Sequence, residues 1–171
     1  TTSGFSISQY IGTGSNATIG HGLGVAPRVV IIKRTSATSQ WIFGHQSLGF
    51  TKFLELNLTG AAQTQTNRFN DTDPTSSVFS IGTESDVNAN GSTYISYCFA
   101  EKKGYSKFGT YTGNGNLDGP MIYSGFKPAW GMFKRTSSTG NWVIMDNKRS
   151  TFNEMQTSIF ANTNAAENSS T

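Results

Sequence analysis

Two stretches of the chain, PRVVIIKRTS at residues 27–36 and PAWGMFKRTS at residues 128–137, lie 101 residues apart and end in the same four residues. The continuous Val/Ile run of the first stretch is typical of a strand that is buried on both faces. Extended in both directions, the match joins residues 10–41 to residues 111–142 without a gap, and eleven of these 32 positions are identical. The chain therefore contains an internal duplication with a unit of about 101 residues.

The two repeats differ in length. The first covers residues 4–103, whereas the second, residues 104–171, has no counterpart of residues 77–100. This missing block contains two strand signals, at 78–81 and 93–101, and an Asn-Gly pair between them that predicts a hairpin turn. We expect that the natural chain continues past Thr171 or that a neighbouring subunit supplies the missing strands by β-augmentation.

The composition predicts an all-β fold. Together, 22 Thr, 21 Ser, 14 Asn and 19 Gly make up 44% of the chain, while charged residues make up 13% and aromatic residues 12%. The aromatic content and low charge exclude a disordered chain, and the shortage of good helix formers excludes a helical bundle. Seven or eight short predicted strands in the first repeat indicate β-sandwiches in tandem, of which the second is incomplete.

Charge and cysteine content exclude further classes. The net charge is +3 and the basic pairs are scattered, so we expect no nucleic-acid partner. The longest aliphatic run covers only residues 29–32, which predicts no membrane span. Cys98 is the only cysteine, so the chain forms no internal disulfide, and its apolar surroundings predict a buried structural thiol.

Several strings resemble a known family. In the second repeat these are YTGNGNLDG at 111–119, GFKPAW at 125–130, KRTSSTGNW at 134–142 and DNKRS at 146–150; in the first they are GHGLG at 20–24 and YCFAE at 97–101. They are similar to a repeat domain found near the C-terminal end of tail-fibre and other appendage proteins of marine tailed phages. The resemblance implies a concanavalin-like, jelly-roll β-sandwich in a phage virion, and it carries over no catalytic residues. The absence of an internal disulfide predicts that the virion is assembled in the reducing host cytoplasm.

The expected function is that of a non-enzymatic structural module that attaches the virion to the host surface. Polar loops on a rigid sandwich are a usual place for recognition, and a host cell-surface glycan is the expected ligand. Other virion proteins are expected partners, and the resemblance implies a homotrimer. One alternative is an architectural decoration protein of the head or tail, and another is a domain that depolymerises host polysaccharide.

Six side chains are candidates for ligand binding: Trp41, His45, Trp142, Asp146, Lys148 and Arg149. The two tryptophans occupy equivalent places in the repeats, and a tryptophan ring can stack on a sugar. Apolar residues follow both of them, so packing in the core is the favoured interpretation. The Lys-Arg-Thr-Ser string could form a basic clamp for anions, although aliphatic stems that cover the sheet explain it more simply.

No metal or cofactor is expected. Asp71 and Asp73 form a weak calcium candidate, because the run 70–73 alternates oxygen ligands but lacks the glycine and distal glutamate of a calcium loop. The two histidines, His21 and His45, have no third ligand. No Gly-x-Ser-x-Gly motif is present, and the acidic residues could supply a glycosidase pair only if the fold brought two of them together.

Overall fold

The computed structural model describes residues 2–149 and 157–169 of the chain. These residues form mostly strands, with two single-turn helices and one 3₁₀ turn at Gln46–Leu48, so the all-β prediction is confirmed. The strands β1 to β12 and the helices α1 and α2 have these bounds: β1 Phe5–Ile11, β2 Ala17–Gly20, β3 Val29–Arg34, β4 Trp41–His45, β5 Lys52–Glu55, β6 Gln63–Thr64, α1 Thr66–Phe69, β7 Val78–Ile81, α2 Ser85–Asn88, β8 Thr93–Phe99, β9 Trp130–Lys134, β10 Trp142–Asp146, β11 Thr157–Phe160 and β12 Asn168–Ser169.

The strands form three antiparallel sheets. The first repeat contains a six-stranded sheet in the order β1-β8-β3-β4-β5-β6 and a two-stranded sheet of β2 and β7. The second repeat contains a four-stranded sheet in the order β9-β10-β11-β12. Strand β3 lies inside the large sheet between β8 and β4, and all four of its Val and Ile residues are buried, as its sequence predicts.

The first hydrophobic core lies between the six-stranded sheet and a layer made of β2, β7 and the two helices. The sheet contributes Val30, Ile32 and Tyr94, and the covering layer contributes Phe79 and Val87, all of them fully buried. Complete burial of an apolar side chain of this size stabilises the fold by roughly 1.5–3 kcal/mol. This side of the sheet is therefore covered by residues of the first repeat itself.

The second hydrophobic core lies on the opposite face of the same sheet and is shared by the two repeats. Val29, Ile31, Phe43 and Leu54 of the first repeat pack there with Trp142 of the second. The Trp142 ring lies 4.7 Å from the Phe43 ring, centroid to centroid. The four-stranded sheet thus packs on the face of the six-stranded sheet that is opposite to β2 and β7; this is the outer face of the large sheet.

Hydrogen bonds reinforce this contact between the repeats. The backbone N–H of Ala62 donates to the carbonyl oxygen of Thr136 at 2.9 Å, and that of Gly140 donates to Thr59 at the same distance. The indole N–H of Trp142 donates to the carbonyl oxygen of Glu55 at 3.0 Å. These bonds satisfy polar groups that the packing of the two sheets would otherwise bury without partners.

The second sheet repeats the order of the first only in part. Strands β9 to β12 correspond, in sequence and in pairing, to β3 to β6. Residues 107–129, which correspond to β1, β2 and the loop after them, contain no strand. In the first repeat β1 pairs with β8 and β2 pairs with β7, and both of these partners belong to the block that the second repeat lacks.

The predicted hairpin at 88–91 is wrong. Strands β7 and β8 lie in different sheets and do not pair, and α2 connects them. The side-chain amide of Asn88 donates to the carbonyl oxygens of Ser15 and Gly82 at 2.6 and 2.7 Å and is fully buried, which ties this connection to other loops. The concanavalin-like topology stays a prediction, and no helix in residues 2–149 or 157–169 is long and apolar enough to cross a membrane.

Candidate functional site

An open cleft of about 630 Å³ lies at the end of β9 and β10 in the second repeat. Trp130, the first residue of β9, is paired across the strands with Asp146, the last residue of β10. Paired residues point to the same face of a sheet, so the indole and the carboxylate lie side by side. The cleft is lined by Ala129, Trp130, Asp146, Asn147, Lys148, Arg149 and Glu167.

The Asp146 carboxylate organises the turn that follows β10. Its Oδ1 accepts hydrogen bonds from the backbone N–H groups of Lys148 at 2.9 Å and Arg149 at 3.0 Å, which closes an Asx-type turn. The backbone N–H of Arg149, supported by that of Lys148 and by the Arg149 guanidinium, lowers the pKa of Asp146. The carboxylate is therefore ionised at neutral pH and acts as an acceptor.

The Arg149 guanidinium connects two carboxylates across the cleft. It forms an ion pair with Asp146, and its Nε donates to Oε2 of Glu167 at 2.9 Å. Arg149 keeps 32% of its side-chain surface exposed and Glu167 keeps 50%. Polar groups held in place by one another, yet open to solvent, can form further hydrogen bonds without first being rearranged.

The indole of Trp130 completes the site as an apolar platform. It is 56% exposed, although tryptophan is one of the residues that proteins bury most. The equivalent residue of the first repeat, Val29, is 3% exposed. An open aromatic face beside ionised and amide groups can take a ligand that has both an apolar face and hydroxyl groups.

A family model described as a domain of unknown function, DUF7483, matches residues 1–171. The chain belongs to the DUF7483 family. Searches of curated proteins and of solved structures gave no match. Because one match spans both repeats, the DUF7483 domain contains the duplication that the sequence shows.

The candidates predicted from the sequence of this DUF7483 domain separate into two groups. Asp146, Lys148 and Arg149 are brought together in the cleft. Trp142 is 2% exposed and lies in the core between the repeats, so its ring is closed to any ligand. The favoured interpretation of that tryptophan, packing in the core, agrees with this position.

The candidates of the first repeat lie outside the cleft. Trp41 is half-buried, stacks on Tyr97 with 6.3 Å between ring centroids, and has the Lys33 ammonium 6.0 Å from its ring. His45 accepts a hydrogen bond from the backbone N–H of Ser47 at 3.1 Å. Burial, together with the neighbouring Arg28, lowers the pKa of His45. The histidine is therefore mainly neutral at pH 7 and closes a turn.

The Lys-Arg-Thr-Ser strings close loops in both repeats of the DUF7483 domain. Lys33 donates to the carbonyl oxygen of Ser39 at 2.6 Å, and Lys134 donates to those of Thr59 and Arg135 at 3.2 and 2.8 Å. Burial, with Arg135 beside it, lowers the pKa of Lys134. These contacts support a structural role for the strings rather than an anion clamp.

The weak calcium candidate has a structural contact instead. Oδ1 of Asp73 accepts a hydrogen bond from the backbone N–H of Phe50 at 3.4 Å, and Asp71 is in the left-handed region with a φ of 45°. In the described ranges, 2–149 and 157–169, no three His, Cys, Asp or Glu side chains converge in a way that could hold a metal ion. The calcium candidate stays a prediction, and the contact that the structure shows at Asp73 is the one to the Phe50 backbone.

Three acidic side chains of the first repeat converge on a buried arginine. The Arg68 guanidinium lies 3.1 Å from Asp86, 3.7 Å from Glu84 and 3.9 Å from Glu55. Each of the three carboxylates thus has the same positive partner. The cluster balances a buried charge, which is a role in stability.

Glu101 forms an ion pair with Lys107 and not with the lysines that directly follow it in the sequence. Its carboxylate accepts a hydrogen bond from the ammonium group of Lys107 at 2.8 Å, not from the adjacent Lys102 or Lys103. This bond lowers the pKa of Glu101. The pair links Lys107, near the start of the second repeat, to a residue two positions after the end of β8.

Sequence reasoning missed Trp130 and Glu167. Trp130 belongs to a string that matched the other repeat in pattern, and that match favoured a core position like that of Val29. The difference itself was the available signal, since a tryptophan in place of a valine changes both size and polarity. Glu167 is distant in sequence from the other residues of the cleft, and only the pairing of β10, β11 and β12 brings it near them.

Proposed function

We propose that this domain is a non-enzymatic structural and adhesion module of a phage virion appendage, and that the Trp130 cleft binds glycan on the host surface. The observation that carries the proposal is an exposed indole beside a fixed set of polar groups at the end of a sheet. A sugar ring has a C–H face that packs on an aromatic ring, and its hydroxyl groups hydrogen-bond to carboxylates and guanidinium groups.

Adhesion agrees better with the electrostatics of the cleft than hydrolysis does. A glycosidase needs a carboxyl group whose pKa is raised, so that it can protonate the leaving oxygen. The pKa of Asp146 is lowered, and Arg149 binds both Asp146 and Glu167. The Asp146 carboxylate can therefore accept hydrogen bonds from sugar hydroxyls without donating a proton.

The appendage context rests on the family resemblance. The resemblance supports other virion proteins as partners and a homotrimer as the assembly. The polar composition and the low charge suit a module that is exposed on a particle surface. An architectural decoration role stays as the second candidate, which the irregular, exposed segment 107–129 favours as a contact for other virion proteins.

The test is binding of the labelled domain to an array of bacterial surface polysaccharides. We expect saturable binding to at least one glycan and at least a tenfold loss of affinity in Trp130→Ala. Tyr123→Ala is the matched control, because Tyr123 is 80% exposed and lies outside the cleft. Equal glycan affinity of Trp130→Ala and wild type would show that the glycan does not bind in the Trp130 cleft.

Two further outcomes decide between the alternatives. Release of reducing ends from a bound polysaccharide, abolished in Asp146→Asn or Glu167→Gln, would replace adhesion by depolymerisation. No glycan binding, together with electron micrographs that place the domain on the head or along the tail tube, would favour the architectural role.

A further inference from the structure

The outer edge of β9 is open. In the four-stranded sheet β9 pairs with β10 on one side, and no strand of the described residues pairs with its other side. The equivalent strand of the first repeat, β3, pairs on that side with β8 over six residues. Phe133 is 38% exposed, whereas its counterpart Ile32 is completely buried. An open strand edge is a template for another strand.

The segment that corresponds to β1 lacks its partner as well. In the first repeat Tyr10 stacks on Tyr94 of β8 at 5.1 Å, and its hydroxyl donates to the carbonyl oxygen of Val87 at 2.8 Å. The identical residue of the second repeat, Tyr111, is 54% exposed, against 9% for Tyr10. Tyr111 is thus exposed at a position that belongs to the hydrophobic core in the first repeat.

A glycine shared by the repeats points to the same missing block. A Cβ on Gly12 would lie 2.3 Å from the carbonyl oxygen of Ala89, so the approach of the segment before β8 requires glycine there. The backbone N–H of Gly12 also donates to Ser92 at 2.8 Å. At Gly113, the counterpart of Gly12, a Cβ would have no described atom within 4 Å. The second repeat therefore has a residue suited to a contact that the described residues do not make at Gly113.

Two neighbouring identical residues also contact the block 77–100 in the first repeat. There the Arg34 guanidinium donates to the hydroxyl of Ser92 at 2.6 Å, and the Thr35 N–H donates to the carbonyl oxygen of Thr93 at 2.8 Å. The second repeat has Arg135 and Thr136 at these positions, and the Nε of Arg135 donates to the carbonyl oxygen of Thr139 at 3.2 Å instead. With Tyr111 and Gly113, the second repeat thus retains four residues that contact the block 77–100 in the first.

We propose that the β9 edge, with residues 106–113, binds a strand pair of the β7–β8 type that is carried by polypeptide outside residues 1–171. The β8-like strand pairs antiparallel with β9, and residues 106–113 pair on its other side, as β1 does in the first repeat. The pairing of β3 with β8 gives the chemistry of this strand: small residues opposite Gly131 and Phe133, and an aromatic residue opposite Met132. A second folded copy has no such strand to give, because β1 and β3 already pair with both sides of its β8.

The test uses a fluorescently labelled peptide with the sequence of residues 77–100, added to the 171-residue chain under reducing conditions. We expect saturable one-to-one binding and slower amide hydrogen exchange at residues 106–113 and 130–135. Gly113→Val should weaken binding at least tenfold, because its side chain occupies the space that the peptide needs. Gly119→Val is the matched control, since Cβ atoms at 113 and at 119 both lack described neighbours within 4 Å. Neither substitution should change the melting temperature of the free chain.

A fused chain keeps the proposal falsifiable if the peptide alone aggregates. Residues 77–100 are attached after Thr171 through a flexible linker, and hydrogen exchange is measured on the monomer. Failure of the fused block to protect residues 106–113 and 130–135 would overturn the proposal. Equal peptide affinity for the Gly113→Val and Gly119→Val chains would also overturn it, as would dimerisation of the unmodified chain through its β9 edge.

Discussion

At the scale of single residues, the Arg68 side chain carries a positive charge that is surrounded by close partners. It is buried, with its guanidinium carbon 3.9 Å from the centroid of the Phe53 ring and its Nε donating to Gln65 at 2.9 Å. Three carboxylates face the same group: that of Glu55 at the end of β5, that of Glu84 just before α2 and that of Asp86 in α2. The side chain thereby joins α1 to its neighbours through charge, since a charge that is removed from water needs close partners.

We predict that Arg68→Met destabilises the fold by about 3–5 kcal/mol, because it leaves three partly buried carboxylates beside one another without their positive partner. Urea unfolding followed by tryptophan fluorescence measures the change. Arg149→Met is the control: Arg149 is partly exposed, so the loss of its ion pairs should cost at most about 1 kcal/mol. Similar losses in both variants would contradict a special role for Arg68.

Cys98 provides a prediction about pH. Burial raises the pKa of its thiol to about 12 from the ordinary 9.0, and the side chain is 1% exposed. A raised pKa means that the neutral thiol favours the folded state fully below pH 9.0 and that this contribution is lost as the pH rises toward 12. The stability of wild type should therefore fall more steeply than that of Cys98→Ala over this window.

Thiol labelling checks the same prediction independently. At pH 8 the folded chain should react with iodoacetamide only as fast as it unfolds, while the chain in urea reacts at once. Rapid labelling of the folded chain would show that Cys98 is accessible and would contradict its burial.

At the scale of elements, the two repeats provide a matched pair of glycines. Gly12→Ala should destabilise the fold by about 1–3 kcal/mol, because the new Cβ overlaps the carbonyl oxygen of Ala89 and neither backbone can move freely. Gly113→Ala should change stability by less than about 0.5 kcal/mol. The midpoints of urea unfolding measure both effects, and equal destabilisation would mean that the environments of the two repeats do not differ as described.

Local sequence patterns mark several of the strands. The Val/Ile run predicted β3, and β1 covers residues 5–11, where Phe5 and Ile7 alternate with serines. Leu54, Leu56 and Leu58 alternate with polar residues in the same way, yet β5 ends at Glu55, because the chain turns there and the N–H of Leu58 donates to the Glu55 carbonyl oxygen at 3.1 Å. The Asn-Gly pair correctly indicated a turn, but turn chemistry carries no information about which sheet the next strand joins.

At the scale of the whole molecule, Trp142 is the side chain that fastens the second sheet to the first. We predict that Trp142→Ala destabilises the fold by about 3–5 kcal/mol, through the cavity that it leaves and the lost bond to Glu55. Hydrogen exchange should increase most in β9 and β10. Trp130→Ala should change stability by less than about 0.5 kcal/mol, because that indole is 56% exposed. A larger effect at Trp130 than at Trp142 would reverse the two assigned roles.

The candidate site was predicted in part. The charged string after β10 was singled out from the sequence, and the structure places three of its residues in the cleft. The exposed ring of the cleft, Trp130, was not among the candidates, whereas Trp142, for which core packing was the favoured interpretation, is buried. Both are tryptophans at the ends of neighbouring strands, and their local sequences do not distinguish the ring that another layer covers from the ring that stays open.

The sequence by itself determined the duplication, the all-β composition, the buried strand β3 and the absence of a counterpart for residues 77–100. These follow from properties that are local or that repeat along the chain, such as side-chain alternation and residue identity. Only the tertiary structure decided that the second sheet packs on the outer face of the first, and that identical residues are buried in one repeat and exposed in the other. The reason is physical: Tyr10 and Tyr111 have the same chemistry, but burial depends on which strands pack against a residue, and for Tyr10 those strands come from the part of the sequence that the second repeat lacks.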